Sequence, residues 1–212
     1  SISFSDHKGS TASDGIQTRQ SGSWYPSGSV AINTGDTDLS VLKEKNGDFY
    51  TRVAKFRWLT QDIPDDAYIT SAELRLYVSA KADNEDRCIH ARWQDDDMGS
   101  QYATDPATDT HSHYMSEGSD IFTSAIDCLD ITVIPATGYY NFPLKNLNKI
   151  QKHAGAYTGI QMGMGPDHQP DANQYVGAGR NYLIFAAEEN TTYAAPKLIV
   201  NYDVPGGVAC RT

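Results

Sequence analysis

The amino-acid sequence predicts an all-β protein, a jelly-roll β-sandwich with one short helix. Segments in which apolar and polar residues alternate recur along the 212 residues, most clearly over residues 69–78, and this period of two marks strands with one buried face. Tyrosine is abundant (13 residues), and Val, Ile and Thr recur in short runs, which is typical of β-sheets. Long, irregular connections favour Greek-key or jelly-roll wiring over a meander or a propeller.

The first 34 residues differ in composition from the rest of the chain. They are rich in Ser, Gly, Thr and Asp, with strand character only at residues 2–4 and 29–32. We interpret residues 1–34 as an N-terminal arm, which either packs on its own domain as an extra edge strand or is ordered by a neighbouring copy. The sandwich itself is predicted over residues 35–203, and residues 204–212 form a Gly-rich tail.

The strands of the sandwich are predicted from short runs of β-formers bounded by turn residues. The long polar stretch over residues 94–120 interrupts them and is interpreted as a surface excursion. Strands are predicted from residue 39 onward and over residues 50–59, 68–80, 87–93, 121–134, 138–144, 160–164, 182–186 and 196–202.

The single helix is predicted over residues 145–154. Leu144, Leu147 and Ile150 are spaced by three and therefore share one face of a helix. Gly155 comes next as a helix stop, because glycine readily adopts the left-handed conformation at a helix C-terminus.

Charge and hydropathy exclude some classes of partner. The net charge is −10 and the sequence pI is about 4.9, which argues against nucleic acid or an anionic membrane surface, since both attract basic patches. No apolar run approaches the ~18 residues that a membrane-spanning helix needs. We therefore predict neither a nucleic-acid partner nor membrane insertion.

Several segments resemble the DNRLRE-type jelly-roll domain. The most specific are Ile69–Val78, similar to its Ile-x-x-Ala-x-Leu-x-Leu-Tyr-Val strand, and Pro196–Tyr202, similar to its closing Pro-x-Leu-x-Val-x-Tyr strand. Residues 52–59 and 142–157 add weaker similarity, and the resemblance spans roughly residues 35–203. It implies a jelly roll, usually extracellular, of the kind found in carbohydrate-binding modules of alginate lyases and in archaeal and bacterial surface proteins. The matching positions carry the fold and not ligand chemistry.

Exposed aromatic side chains are the candidate ligand-binding residues. An aromatic ring stacks on the apolar face of a sugar while neighbouring polar groups bond its hydroxyls. Trp24 and Tyr25 lie in a Ser/Gly/Pro loop, where the alternative is packing on the sandwich edge or on a neighbouring subunit. The predicted ligand-binding set is Trp24, Tyr25, Tyr139, Tyr140, Tyr175 and Arg180.

Acidic loop residues suggest a structural calcium site, although no EF-hand spacing occurs. The carboxylates that we expect to supply oxygen ligands are those of Asp36, Asp38, Asp95, Asp96 and Asp97. No other cofactor is predicted.

The three cysteines leave the disulfide state open. Cys88 and Cys128 lie in strand-like segments, either as a disulfide or as two buried free thiols, and Cys210 is either an inter-chain link or an idle thiol. Asn190 begins the sequence Asn-Thr-Thr, an acceptor for N-glycosylation in a secretory host.

Catalysis is not expected, because no carboxylate pair stands out and no nucleophile elbow, Walker loop or zincin motif occurs. Two functions remain. The first is an extracellular or surface-displayed module that binds a polysaccharide or other glycan, or attaches to a surface. The alternative is a structural subunit that assembles with copies of itself into a filament, surface layer or virion.

Overall fold

The chain folds as an antiparallel β-protein. The structure, a computed structural model, describes residues 2–5, 14–21, 29–33, 36–46, 48–83, 88–94, 129–165 and 180–205. The described strands are β1 (Ile2–Ser5), β2 (Asp14–Ser21), β3 (Ser29–Asn33), β4 (Asp38–Asn46), β5 (Asp48–Leu59), β6 (Tyr68–Asp83), β7 (Cys88–Gln94), β8 (Leu129–Asp130), β9 (Gly138–Pro143), β10 (Tyr157–Gly165), β11 (Asn181–Ala186) and β12 (Lys197–Asp203). The all-β prediction is confirmed.

All the described strands belong to one curled sheet. Its main order is β1-β12-β6-β11-β4-β5-β10-β7-β8, while β9 pairs with β6, β2 with β5, and β3 with β2. The two longest strands change partners along their length: β6 pairs first with β12 and then with β11, and β5 pairs first with β4 and then with β10. The sheet therefore curls around a single core.

The alternation along β6 is the clearest link between sequence and core. Ala72, Leu74, Leu76 and Val78 are buried, as their period of two predicts, and they join one hydrophobic cluster with side chains from β4, β5, β7 and β9 to β12. Burial of this apolar face is the main force that holds the sheet in its register.

Two tryptophans lie in this core, as expected for strand positions. Trp58 is fully buried and stacks on Phe56 with ring centroids 6.0 Å apart. Its indole N–H donates to the carbonyl of Pro196 at 3.4 Å, and that of Trp93 donates to the carbonyl of Lys145 at 3.0 Å. Both rings are thus buried with their polar atom bonded.

The predicted helix over residues 145–154 is wrong. The segment contains one 3-10 turn, Leu147–Lys149, between Asn146 in the left-handed conformation (φ 56°) and Ile150 in an extended one (ψ 119°). A spacing of three fits a 3-10 turn as well as an α-helix, because residues i and i+3 are aligned in both. Gly155 has φ 76° and lies in a turn that leads into β10, where the N–H of Ala156 bonds the carbonyl of His153.

The predicted strand over residues 121–134 is only partly correct. Leu129–Asp130 is a strand, residues 131–133 form a second 3-10 turn, and residues 121–128 lie outside the described residues. The Asp130 carboxylate accepts the N–H of Thr132 at 2.8 Å, and this capping bond ends the strand and starts the turn.

The described parts of the first 34 residues are strands of the same sheet. β1 pairs with β12, and β3 pairs with β2. Residues 14–21 carry no strand pattern in the sequence and are expected in a loop, whereas they form β2, which pairs with β5 from Asp14 to Ser21. These strands are joined to the sheet through their backbone ladders.

Candidate functional site

The outer face of β6 carries the candidate site. Opposite the buried residues, Ser71, Glu73, Arg75 and Tyr77 point outward, and all four are exposed or half-buried. The register then adds neighbours from both sides, since Tyr139 of β9 lies beside Tyr77 and Lys197 of β12 lies beside Arg75. One period of two thus produces both the core and this surface.

Three aromatic rings meet on this face, and we call Tyr77, Tyr139 and Tyr193 the tyrosine platform. Tyr77 stacks on Tyr193 with centroids 3.7 Å apart and planes at 11°, and it meets Tyr139 edge to face at 5.1 Å. Tyr139 remains 46% exposed and Tyr193 37%. Because Tyr77 covers one face of Tyr193, the exposed area of Tyr193 lies on its opposite face and edge.

The loop before β12 places Tyr193 on the platform. The Asn190 side-chain oxygen accepts the N–H groups of Thr192 (2.9 Å) and Tyr193 (3.0 Å), while its amide donates to the carbonyl of Thr37 at 3.3 Å. The N–H of Ala194 donates to the Tyr139 hydroxyl at 3.3 Å, which ties the loop to β9. These bonds hold the ring of Tyr193 in a defined position.

Two cations border the platform. The guanidinium carbon of Arg75 lies 4.7 Å from the centroid of the Tyr139 ring, a cation–π contact. Arg75, Tyr139, Ala194, Ala195 and Lys197 line a shallow pocket of about 210 Å³. Neither cation forms an ion pair in the part of the chain that the structure describes.

The neighbouring phenol groups affect the pKa of Tyr77. A hydrogen bond to Tyr193 raises the pKa of Tyr77, with smaller contributions from its partial burial and from the neighbouring phenol groups of Tyr193 and Tyr139. Tyr77 therefore stays a neutral phenol well above physiological pH, so that within the described platform and pocket the charges are those of Arg75 and Lys197.

This arrangement suits the binding of a sugar ring. An exposed aromatic ring offers an apolar stacking surface, and phenol, guanidinium and ammonium groups beside it offer hydrogen bonds to hydroxyl or acidic oxygens.

No family model and no curated protein matches the chain. The resemblance to the DNRLRE-type domain thus stays a prediction. No helix among the described residues is long and apolar enough to cross a membrane.

The predicted ligand-binding residues are not all in one place. Tyr139 belongs to the platform, whereas its neighbour Tyr140 is half-buried and packs against Phe142 at 4.7 Å, next to the core. Arg180 is exposed just before β11, beyond the position that pairs with Asp83. The remaining three, Trp24, Tyr25 and Tyr175, lie outside the described residues.

The tyrosines and cations of the platform and pocket that were not assigned from the sequence are Arg75, Tyr77, Tyr193 and Lys197. The alternation along β6 already directs Arg75 and Tyr77 outward, so a search for outward-facing aromatics on strands would have found Tyr77. Lys197 and Tyr193 carry no comparable local signal, because their place depends on pairing with β6 and on the loop before β12.

The expected calcium ligands are only partly described. Asp36 and Asp38 are exposed near the start of β4, and Asp95, Asp96 and Asp97 lie outside the described residues. Within the described ranges, no three His, Cys, Asp or Glu side chains group closely enough to hold a metal ion. The calcium site stays a prediction.

Cys88, at the start of β7, is in a disulfide. Its sulfur lies 3.7 Å from Nε2 of His90. The other two cysteines, Cys128 and Cys210, lie outside the described residues, so the predicted pairing with Cys128 stays a prediction.

Proposed function

We propose that this protein is a non-catalytic glycan-binding or surface-attachment module, extracellular or surface-displayed, and that the tyrosine platform binds the sugar. The observation that carries the proposal is the meeting of three tyrosine rings and two cations on the exposed face of β6, β9 and β12. An exposed aromatic cluster of this kind costs solvation free energy unless a ligand covers it.

The ring geometry supports stacking on a pyranose. Tyr77 stacks on one face of the Tyr193 ring, and the Asn190 side chain bonds the turn that carries Tyr193. Because the ring is already held in place, little side-chain entropy is lost when a ligand packs on it. The edge-on contact of Tyr77 with Tyr139 leaves Tyr139 exposed beside the pocket. A sugar on Tyr193 would therefore have polar groups within reach.

The charges support a polar ligand. The chain has a net charge of −10, yet among the residues that the structure describes the pocket is lined by Arg75 and Lys197 and by no acidic residue. Because neither cation forms an ion pair within the described residues, both are available to sugar hydroxyls or acidic substituents.

We also propose the jelly-roll sandwich and the kinship with DNRLRE-type domains as the fold behind this function. What supports them is that β5 and β6 change partners along their length around one core, as strands that turn from one sheet to another do. The two most family-like segments, residues 69–78 and 196–202, also form neighbouring strands. The disulfide at Cys88 is in keeping with an oxidising, extracellular compartment.

The proposal is tested by tyrosine variants. We expect a glycan array to identify a ligand, and Tyr193→Ala to weaken its binding about two- to tenfold in calorimetric titration, the value of one aromatic contact. Tyr193→Phe should retain most of the affinity, because it keeps the ring.

The matched control is Tyr68→Ala, since Tyr68 is 72% exposed and lies nine residues from Tyr77, or ~30 Å along β6. Equal losses in Tyr68→Ala and Tyr193→Ala, or no glycan ligand at all, would contradict the platform.

A structural subunit is the second candidate. The observation that favours it is the position of β1, a four-residue strand that completes the sheet next to β12. The same place can be filled by β1 of another copy, because strand addition uses backbone hydrogen bonds that any extended segment provides. This candidate predicts stable self-association.

A further inference from the structure

We infer that the glycan site continues from the tyrosine platform along β6 as a polar track and takes a linear chain of several sugars. The track consists of Glu73 and Asn141, next to the platform, and Ser71 and Asn201, farther along. The inference rests on the proposed function and adds the extent and direction of its site.

The register builds the track from three neighbouring strands. On one side of β6, Asn141 of β9 lies beside Arg75, and its amide donates to the Glu73 carboxylate at 2.9 Å. On the other side, Asn201 of β12 lies beside Ser71, and its amide donates to the Ser71 hydroxyl at 2.8 Å. Both pairs are on the surface that carries Arg75 and Tyr77.

These bonds fix the side chains without using up their hydrogen-bonding capacity. Glu73 keeps a second carboxylate oxygen, Asn141 and Asn201 each keep a carbonyl oxygen and one N–H, and Ser71 keeps its hydroxyl hydrogen. A surface whose polar groups are already held in place loses little entropy on binding. Planar amide and carboxylate groups suit the closely spaced hydroxyls of a sugar.

The track also offers apolar surface between its polar groups. Glu73 has Pro143 of β9 on one side and Ile199 of β12 on the other, and Pro143 is exposed. The track therefore combines apolar surface with hydrogen-bonding groups, as the platform does. Such a surface matches a chain of sugars, because each sugar ring has an apolar face and polar hydroxyls.

The dimensions set the direction and length. Ser71 and Tyr77 are six residues apart on β6, or ~20 Å at the rise of a β-strand. A bound chain therefore runs along β6 and spans more than a disaccharide.

The test is a length series of the oligosaccharide that the platform binds, measured by calorimetric titration on the intact protein. We expect the hexasaccharide to bind about tenfold more tightly than the disaccharide, the value of one or two further hydrogen bonds. A combined Ser71→Ala and Asn201→Ala variant should weaken hexasaccharide binding about two- to tenfold and leave disaccharide binding unchanged, because both residues lie at the end of the track that is farther from the platform. Asn141→Ala should also weaken hexasaccharide binding.

The matched control is Asn148→Ala, because Asn148 is exposed in the 3-10 turn after β9, and melting temperatures show that each variant is folded. Equal affinity for the disaccharide and hexasaccharide overturns the track but leaves the platform intact. Loss of disaccharide binding in the combined Ser71→Ala and Asn201→Ala variant also overturns it, because these residues would then belong to the platform. Absence of binding at every length overturns the proposed function and the track together.

Discussion

At the scale of single residues, charged side chains in this fold bond backbone groups at places where strands end. The Lys81 ammonium on β6 donates to the carbonyls of Ile131 (2.8 Å) and Ile134 (2.6 Å), and so holds the 3-10 turn over residues 131–133 against the sheet. The Lys152 ammonium donates in the same way to the carbonyl of Ala67 at 2.8 Å. Such charge-assisted bonds add to the pairing of carbonyls at the ends of regular structure, and the carbonyl of Ile131 also accepts the N–H of Ile134 at 3.1 Å.

Asp130 makes the pH dependence of this turn predictable. Its bonds to Thr132, first to the backbone N–H and then to the side chain, lower the pKa of the carboxyl, and the charge of Lys81 acts in the same direction. The folded state therefore favours the ionised form. The stabilisation is present above the ordinary pKa of 3.8 and is lost as the pH falls through the lower, folded value.

We expect Asp130→Ala to lower the free energy of unfolding by about 0.5–1 kcal/mol at neutral pH, the low end for an exposed cap. The difference from the wild type should shrink as the pH falls below the ordinary pKa of 3.8 and through the lower, folded pKa, where the carboxyl takes up a proton. Urea denaturation at neutral pH and over this acid range measures it, with exposed Asp203→Ala as control. A difference that stays constant over this range would refute the assignment of the capping charge.

At the scale of elements, the sequence predicted the strands whose pattern reports burial. The strands over residues 68–80 and 196–202 were predicted correctly, because their period of two places the apolar residues on one core face. The sequence did not predict β2, because polar residues such as Gln17 and Arg19 interrupt any apolar pattern there. The error over residues 145–154 has another cause, since a spacing of three does not distinguish 3-10 from α geometry.

The candidate site was only partly predictable for a related reason. Tyr139 lies on a recognisable strand, but Tyr193 reaches the platform through a turn made by Asn190 and a bond from Ala194 to the Tyr139 hydroxyl. The latter bond joins residues 55 positions apart, so no local pattern contains it.

The edge strand β1 allows the two proposed functions to be separated. If β1 pairs with its own β12, the full chain is a monomer, and deleting residues 1–5 leaves a monomer with a lower melting temperature, because four register pairs are lost. If β1 is exchanged between copies, the full chain forms an assembly, and deleting residues 1–5 dissociates that assembly.

Light scattering in reductant measures the mass, and a chain lacking residues 206–212 is the control. We expect the monomer, in line with the glycan-binding proposal. An assembly that disappears with β1 would favour the structural subunit instead.

At the scale of the whole molecule, β5 and β6 present different outer surfaces. Over residues 53–58 of β5 both faces are buried, with Phe56 and Trp58 on the core side and Lys55 and Arg57, each 3% exposed, on the other. The chain itself covers that second face, whereas the outer face of β6 remains open, with Arg75 exposed. The open face is therefore the one that a large ligand such as a polysaccharide can reach.

The disulfide ties β7 to a part of the chain distant in sequence, so its effect is expected on the stability of the whole molecule. With Cys128 as partner it closes a loop of 40 residues (128 minus 88), and reduction should lower the free energy of unfolding by about 2–4 kcal/mol. Cys128→Ser should reproduce this loss and Cys210→Ser should not, as thermal melting with and without reductant measures. Peptide mapping without reductant identifies the pair directly. A loss of stability in Cys210→Ser and not in Cys128→Ser would refute the predicted pairing and assign the disulfide to Cys210. The reason is that a disulfide stabilises the fold by constraining the unfolded chain, so only replacement of one of its own two cysteines removes that stabilisation.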